Sequence, residues 1–173
     1  NKTLRCCAAC AKTNLKEYKM KYTALPIFVV ITLIWTSCHP IICGWDRGYK
    51  QLDELPSKDS IVGLYELTSK SKEFLYAKGF NKNCQLIIQD SEKYVLKNLP
   101  DFVIDSYGET NGKSLNENGR WFVCCIDSEG CMIELEGIQV MPVARKEKGR
   151  ISILMTIGDG EECNGIIFEK KQK

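Results

Sequence analysis

Between residues 60 and 170 the apolar positions fall in short runs: Ile61–Thr68, Cys84–Gln89, Lys93–Leu99, Arg120–Asp127, Cys131–Gly137, Ile151–Gly158 and Gly165–Lys170. Runs of this length, rich in β-branched and aromatic residues and broken by turn clusters roughly every 8 to 12 residues, predict an all-β, single antiparallel meander folded as a barrel or sandwich. In Ile133-Glu134-Leu135-Glu136 apolar and acidic residues alternate, so one face of that strand is buried and the other wet. Asp90-Ser91 and Ser128-Glu129-Gly130 carry the turn chemistry of two hairpins. No long helical period interrupts the pattern. Two longer stretches, Pro100–Gly119 and Ile138–Gly149 with its Pro142 and Lys/Glu run, read as loops, either plainly solvated or used for recognition.

A different pattern precedes the domain. From Met20 the chain runs Met-Lys-Tyr-Thr, then the apolar stretch Ala24–Trp35, then Thr36-Ser37-Cys38. A short basic start, an apolar core and small residues before a processing point describe a secretory signal peptide. Leu33-Ile34-Trp35-Thr36-Ser37-Cys38 has the form of a lipobox, with Trp35 departing from the usual Leu, so Cys38 is the expected site of lipidation by acyl chains. The competing expectation is a single-pass membrane anchor, because Tyr22–Trp45 contains no Asp, Glu, Lys or Arg. Against it, Pro26 at one end and Thr36, Ser37, His39 and Pro40 at the other shorten the strongly apolar part. The expected organisation is an upstream or non-native extension over 1–19, with Cys6, Cys7 and Cys10; a signal peptide over 20–37; a lipidated, Gly- and Pro-broken tether over 38–59; and the β-domain over 60–173.

Four segments carry a family resemblance: Gly63-Leu-Tyr-Glu-Leu67, Tyr94-Val-Leu-Lys-Asn-Leu-Pro-Asp101, Gly119-Arg-Trp-Phe-Val123, and Ile157-Gly-Asp-Gly160 with Gly165-Ile-Ile-Phe-Glu-Lys170. Their glycine and aromatic spacing resembles the small lipoproteins of the Bacteroidota whose exported domain is lipocalin-like. The resemblance spans roughly residues 60 to 170. It implies a lipid-anchored protein of the bacterial envelope, at the outer membrane facing the periplasm, and brings no assigned activity. The residues after Cys38 lack the acidic run of surface-exported members.

Charge sharpens this picture. The chain totals +2, but residues 1–37 hold six Lys/Arg against Glu17, which leaves −3 on the remainder. Without a basic excess the domain has no footprint for a phosphate backbone, so nucleic acid is not an expected partner. The one histidine, His39, precedes the domain. A Ser-His-Asp triad, a Cys-His pair and a His-ligated metal are therefore excluded from the domain, and no cofactor or metal is implied.

Six cysteines follow Cys38, namely Cys43, Cys84, Cys124, Cys125, Cys131 and Cys163. In an oxidising compartment they are disulfide candidates, and Cys125 with Cys131 would bridge a hairpin; the alternative is that most are small buried apolar residues. Asp101, Asp105 and Glu109, with Asp159, Glu161 and Glu162, could serve as a carboxylate pair for hydrolysis or bind calcium, but turn acids are more often solvated charges. Tyr65, Tyr94, Trp121 and Phe122 are candidates to line an apolar pocket, or are simply core. The expectation is a lipid-anchored, non-enzymatic binding or interaction module with an envelope protein as partner. Its alternatives are a lipocalin-type carrier of a small apolar ligand and a carboxylate-based hydrolase.

Overall fold

Period-two burial is the plainest feature of the domain. In the computed structural model, which describes residues 44–104, 113–146, 149–158 and 163–172, the strand Gly130–Leu135 buries Cys131, Ile133 and Leu135 and leaves the residues between them partly exposed. Successive side chains of a strand point to opposite faces, so one wall of a sheet takes the apolar set. Nine strands are described in chain order: β1 Tyr49–Gln51, β2 Gly63–Leu67, β3 Gln85–Ile88, β4 Lys93–Pro100, β5 Ser114–Ile126, β6 Gly130–Leu135, β7 Gln139–Lys146, β8 Ile151–Ile157 and β9 Asn164–Lys170. Helix α1 spans Lys58–Ile61 and helix α2 spans Ser69–Ala77.

Strands β2 to β9 pair antiparallel in sequence order, and β9 pairs back onto β2 (Tyr65↔Lys170, Leu67↔Phe168). The result is a closed eight-stranded meander barrel, the architecture expected of a lipocalin-like domain. Because direction alternates, the connections β2–β3, β4–β5, β6–β7 and β8–β9 all fall at one end of the barrel. Helix α2 lies in the first of these, capped by the Thr68 hydroxyl, which accepts from the Ser71 amide at 3.3 Å. The Ser71 hydroxyl then accepts the β9 amide of Ile167 at 2.8 Å. Leu75 and Phe80, with Phe102 and Val103 of the β4–β5 connection, join the main core at this end.

Four features depart from the sequence expectations. Ile138–Gly149 is not a loop, since it contains β7. Pro142 stands where that strand changes partners: residues 139–142 pair with β6, and 143–146 with β8 and β1. A proline is tolerated where ladder pairing changes over, so Pro142 does not interrupt β7. Strand β5 begins at Ser114, because Ser114, Leu115, Glu117 and Asn118 are held by backbone pairing to β4 although all of them but Leu115 are polar. Helix α2 occupies a segment read without helical period. Finally, residues before Ser60 are not a plain tether: β1 pairs with β7, and the Trp45 indole covers Gly165, where a Cβ would lie 2.5 Å from the ring.

Candidate functional site

The lumen is the first place to look for a site in a barrel of this size, since eight strands leave an interior that side chains fill or one small ligand occupies. Here side chains fill it. Tyr65, Leu86, Leu96, Ile133, Met141 and Phe168 are fully buried.

Three of the four expected pocket aromatics belong to this core, and each commits its polar end to the backbone. The Tyr65 hydroxyl donates to the Ile61 carbonyl at 2.6 Å, tying β2 to α1. The Trp121 indole N–H donates to the Gln89 carbonyl at 2.9 Å. The Tyr94 hydroxyl donates to the Glu136 carbonyl at 2.7 Å, and its ring crosses Gly119, where a Cβ would sit 2.9 Å from Tyr94 Cε1. Burial raises both tyrosine pKa values, and Glu117 and Glu136 add to the rise at Tyr94. Phe122, next to Trp121, takes the opposite face of β5 and lies half-buried on the outer wall beneath the Arg120 guanidinium, 5.1 Å from its ring centre. The four residues therefore do not converge on one pocket.

Cys125 and Cys131 are register partners in the β5–β6 hairpin and form a disulfide. Cys163 is also disulfide-bonded. Cys84 and Cys124 are free thiols. The Cys84 thiol donates to the Asn98 carbonyl at 2.7 Å beneath the β4 bulge, and burial pushes its pKa up to about 12. Cys124 is half-buried on the outer face of the same hairpin.

The Asp101 carboxylate accepts the Phe102 amide at 3.0 Å, an N-terminal turn contact. Asp105, Glu109, Asp159, Glu161 and Glu162 lie outside the described residues, as do Cys38, His39, Cys43 and the whole stretch read as signal peptide. Among the described residues no His/Cys/Asp/Glu cluster is placed to hold a metal ion, and no helix is long and apolar enough to cross a membrane.

Clefts occur on the outside instead. One, of about 380 Å³, lies between α2 and the chain that follows it, with Tyr76, Phe80, Lys72 and Lys82 among its walls. Another, of about 580 Å³, lies along β1 and the end of β7, walled by Gly48–Asp53, Arg145 and Lys146. The chain that forms it is fixed at several points. The Leu52 amide donates to the Val143 carbonyl at 2.9 Å, while the Leu52 carbonyl accepts the Cys131 amide at 2.6 Å. The Gln51 side-chain amide donates to the Cys131 carbonyl at 3.1 Å. Strand β1 thus continues the line of β6 along β7, and the disulfide-bridged hairpin is what it butts against. Sequence reasoning missed this site because β1 has three residues and lies in a segment read as tether; the aromatic pair Trp45 and Tyr49 was the available signal.

Compared with known protein families, curated proteins and solved structures, the chain matches none.

Proposed function

We propose that the chain is a lipid-anchored envelope lipoprotein, held by Cys38, whose β-barrel acts as a binding or interaction module through its outer surface, without enzymatic chemistry. The observation that carries the surface part of this reading is the filled lumen: a carrier needs an apolar cavity, and here the same space is occupied by Tyr65, Met141 and Phe168. Export is supported by the disulfide-bonded Cys125, Cys131 and Cys163, since such bonds persist in oxidising compartments. It is supported independently by the order of basic, apolar and small residues from Met20 to Cys38. The partner in this reading is another envelope protein, met by the outer wall of the barrel.

Mass spectrometry of the protein extracted from membranes tests the anchor. The expected result is a mature chain beginning at Cys38 and carrying acyl chains, lost from the membrane fraction in Cys38→Ser. An intact 20–37 segment on the isolated protein, or unchanged membrane retention in Cys38→Ser, would replace the lipid anchor by a spanning helix.

A further inference from the structure

Cys163 is disulfide-bonded, yet none of the other described cysteines is its partner: Cys125 and Cys131 bond each other, and Cys84 and Cys124 are free thiols. The remaining cysteines, Cys6, Cys7, Cys10, Cys38 and Cys43, all precede the described residues. The bond therefore joins the start of β9 to chain that leads into the cover on the outer wall.

The packing next to Cys163 singles out one of these five. Trp45 lies over Gly165, and the Gly44 carbonyl accepts from the Lys70 ammonium of α2 at 2.6 Å. Helix α2 is tied to β9 at the same place, through the Ser71 hydroxyl and the Ile167 amide. From Trp45 the cover runs to Tyr49, opposite Lys146 of β7, which is the direction that β9 takes along the wall. Traced back, both chains lead to the barrel end that holds the β8–β9 connection. Cys43 precedes Trp45 by two residues, and Cys163 precedes Gly165 by two. Each step spans at most about 7 Å. Leashes this short suit the Cα separation of about 4.4–6.8 Å that a disulfide requires. Cys43–Lys173 forms one compact unit, whereas Cys6, Cys7, Cys10 and Cys38 belong to the other. Cys163 itself has a φ of +53°, in the left-handed region where glycine or asparagine is the usual residue, so backbone preference does not explain a cysteine there.

We infer that Cys43 and Cys163 form a disulfide that latches the covering segment, residues 44–52, onto the barrel. Forming it passes two electrons and two protons from the two thiols to a disulfide-bearing oxidant, which leaves as a dithiol. The bond closes a loop around nearly the whole barrel, and it holds a cover to which β1 contributes only three paired residues. Without it the segment loosens, and water reaches the apolar wall of Ala144, Leu154 and Ile167. The latch does not rest on the anchored reading, although a Cys38 sulfur that carries lipid as a thioether has no thiol left to pair.

The test maps the disulfides of the full chain as isolated from cells without reductant, alkylated and then digested with trypsin. The expected product is the fragment ending at Arg47 joined to Ile151–Lys170, with the bond on Cys43 and with Cys124 alkylated. Alkylated Cys43 or Cys163, or a bond from Cys163 to Cys38, Cys6, Cys7, Cys10 or a second chain, overturns the inference. In Cys43→Ser and in Cys163→Ser, amide exchange at Tyr49–Gln51 should speed up roughly tenfold or more. The double variant should match either single one, since all three lack the same bond. Unchanged exchange, or effects that add in the double variant, would show that no such latch holds the cover. An unacylated Cys38 in the same digest would remove the lipid anchor and leave the joined fragment as it is, so the two failures are distinguishable.

Discussion

Strands β6 and β8 stand on either side of β7 and are buried in different ways. Strand β6 alternates, with Cys131, Ile133 and Leu135 turned to the lumen and Met132 and Glu134 toward solvent. Strand β8 does not alternate: Ile151, Ser152, Ile153, Leu154 and Met155 are all buried. Since both walls line the same lumen, the difference arises outside it. Ala144, Leu154 and Ile167 form a second apolar cluster on the outer wall, and Trp45 and Tyr49 pack on it. A strand that reads as a continuous apolar run is one covered on both faces. In a barrel of otherwise alternating strands, such a run marks the wall that another segment must cover, and here the cover is the chain just before the barrel.

The lumen should dominate stability, and Phe168→Ala tests this with the largest effect. Phe168 is completely buried on β9, opposite Ile153 of β8 and Leu67 of β2. Removing its ring leaves a cavity inside a closed barrel that cannot collapse, with an expected loss of about 3–5 kcal/mol in denaturant unfolding. A loss under 1 kcal/mol would mean that the interior is not packed as described. The outer cover is broken separately by Gly165→Ala, whose added Cβ would meet the Trp45 indole at 2.5 Å. The rigid ring must move, at an expected cost of about 1–3 kcal/mol. Amide hydrogen exchange should then rise at Tyr49–Gln51 and stay unchanged in β3 and β4. Unchanged exchange at Tyr49–Gln51 would show that Trp45 is not what holds the cover in place.

The same contrast explains what could be read from the sequence. Seven barrel strands were legible because lumen-facing residues repeat at every second position, as Ile133 and Leu135 do, and the meander followed from the turns at Asp90-Ser91 and Ser128–Gly130. The pairing of Cys125 with Cys131 was available as a candidate for the same reason, since a short hairpin places them opposite one another. Strand β7 was hidden by Pro142 and by a charged end, Arg145-Lys146, that belongs to the cleft and not to a solvated loop. The first half of β5, Ser-Leu-Asn-Glu-Asn, is held by backbone hydrogen bonds that any side chain permits, so no pattern announces it. Helix α2 shows only Phe74 and Leu75 as adjacent core contacts, too few to set a period, although Thr68 is a cap residue by type. The cleft was illegible because the register of Lys50 against Arg145 depends on a long-range pairing between a three-residue strand and a strand broken by proline.

The smallest expected effect sharpens the comparison within one strand. Val140 and Ala144 are both on β7 and, four positions apart, both face outward. Ala144 is fully buried under the cover, whereas Val140 is 47% exposed where the cover does not reach. If the N-terminal segment is what makes the outer wall apolar, Val140 is an ordinary surface residue and its replacement by serine should change stability by no more than about 0.5 kcal/mol. Replacing Ala144 by serine places a hydroxyl against Leu154, Ile167 and the covering aromatics, so it should cost clearly more than the Val140 change. Paired denaturant titrations of Val140→Ser and Ala144→Ser measure the difference directly. Equal effects would mean that the wall is equally wet along its length, and the two-sided burial of β8 would then need a source other than Trp45 and Tyr49.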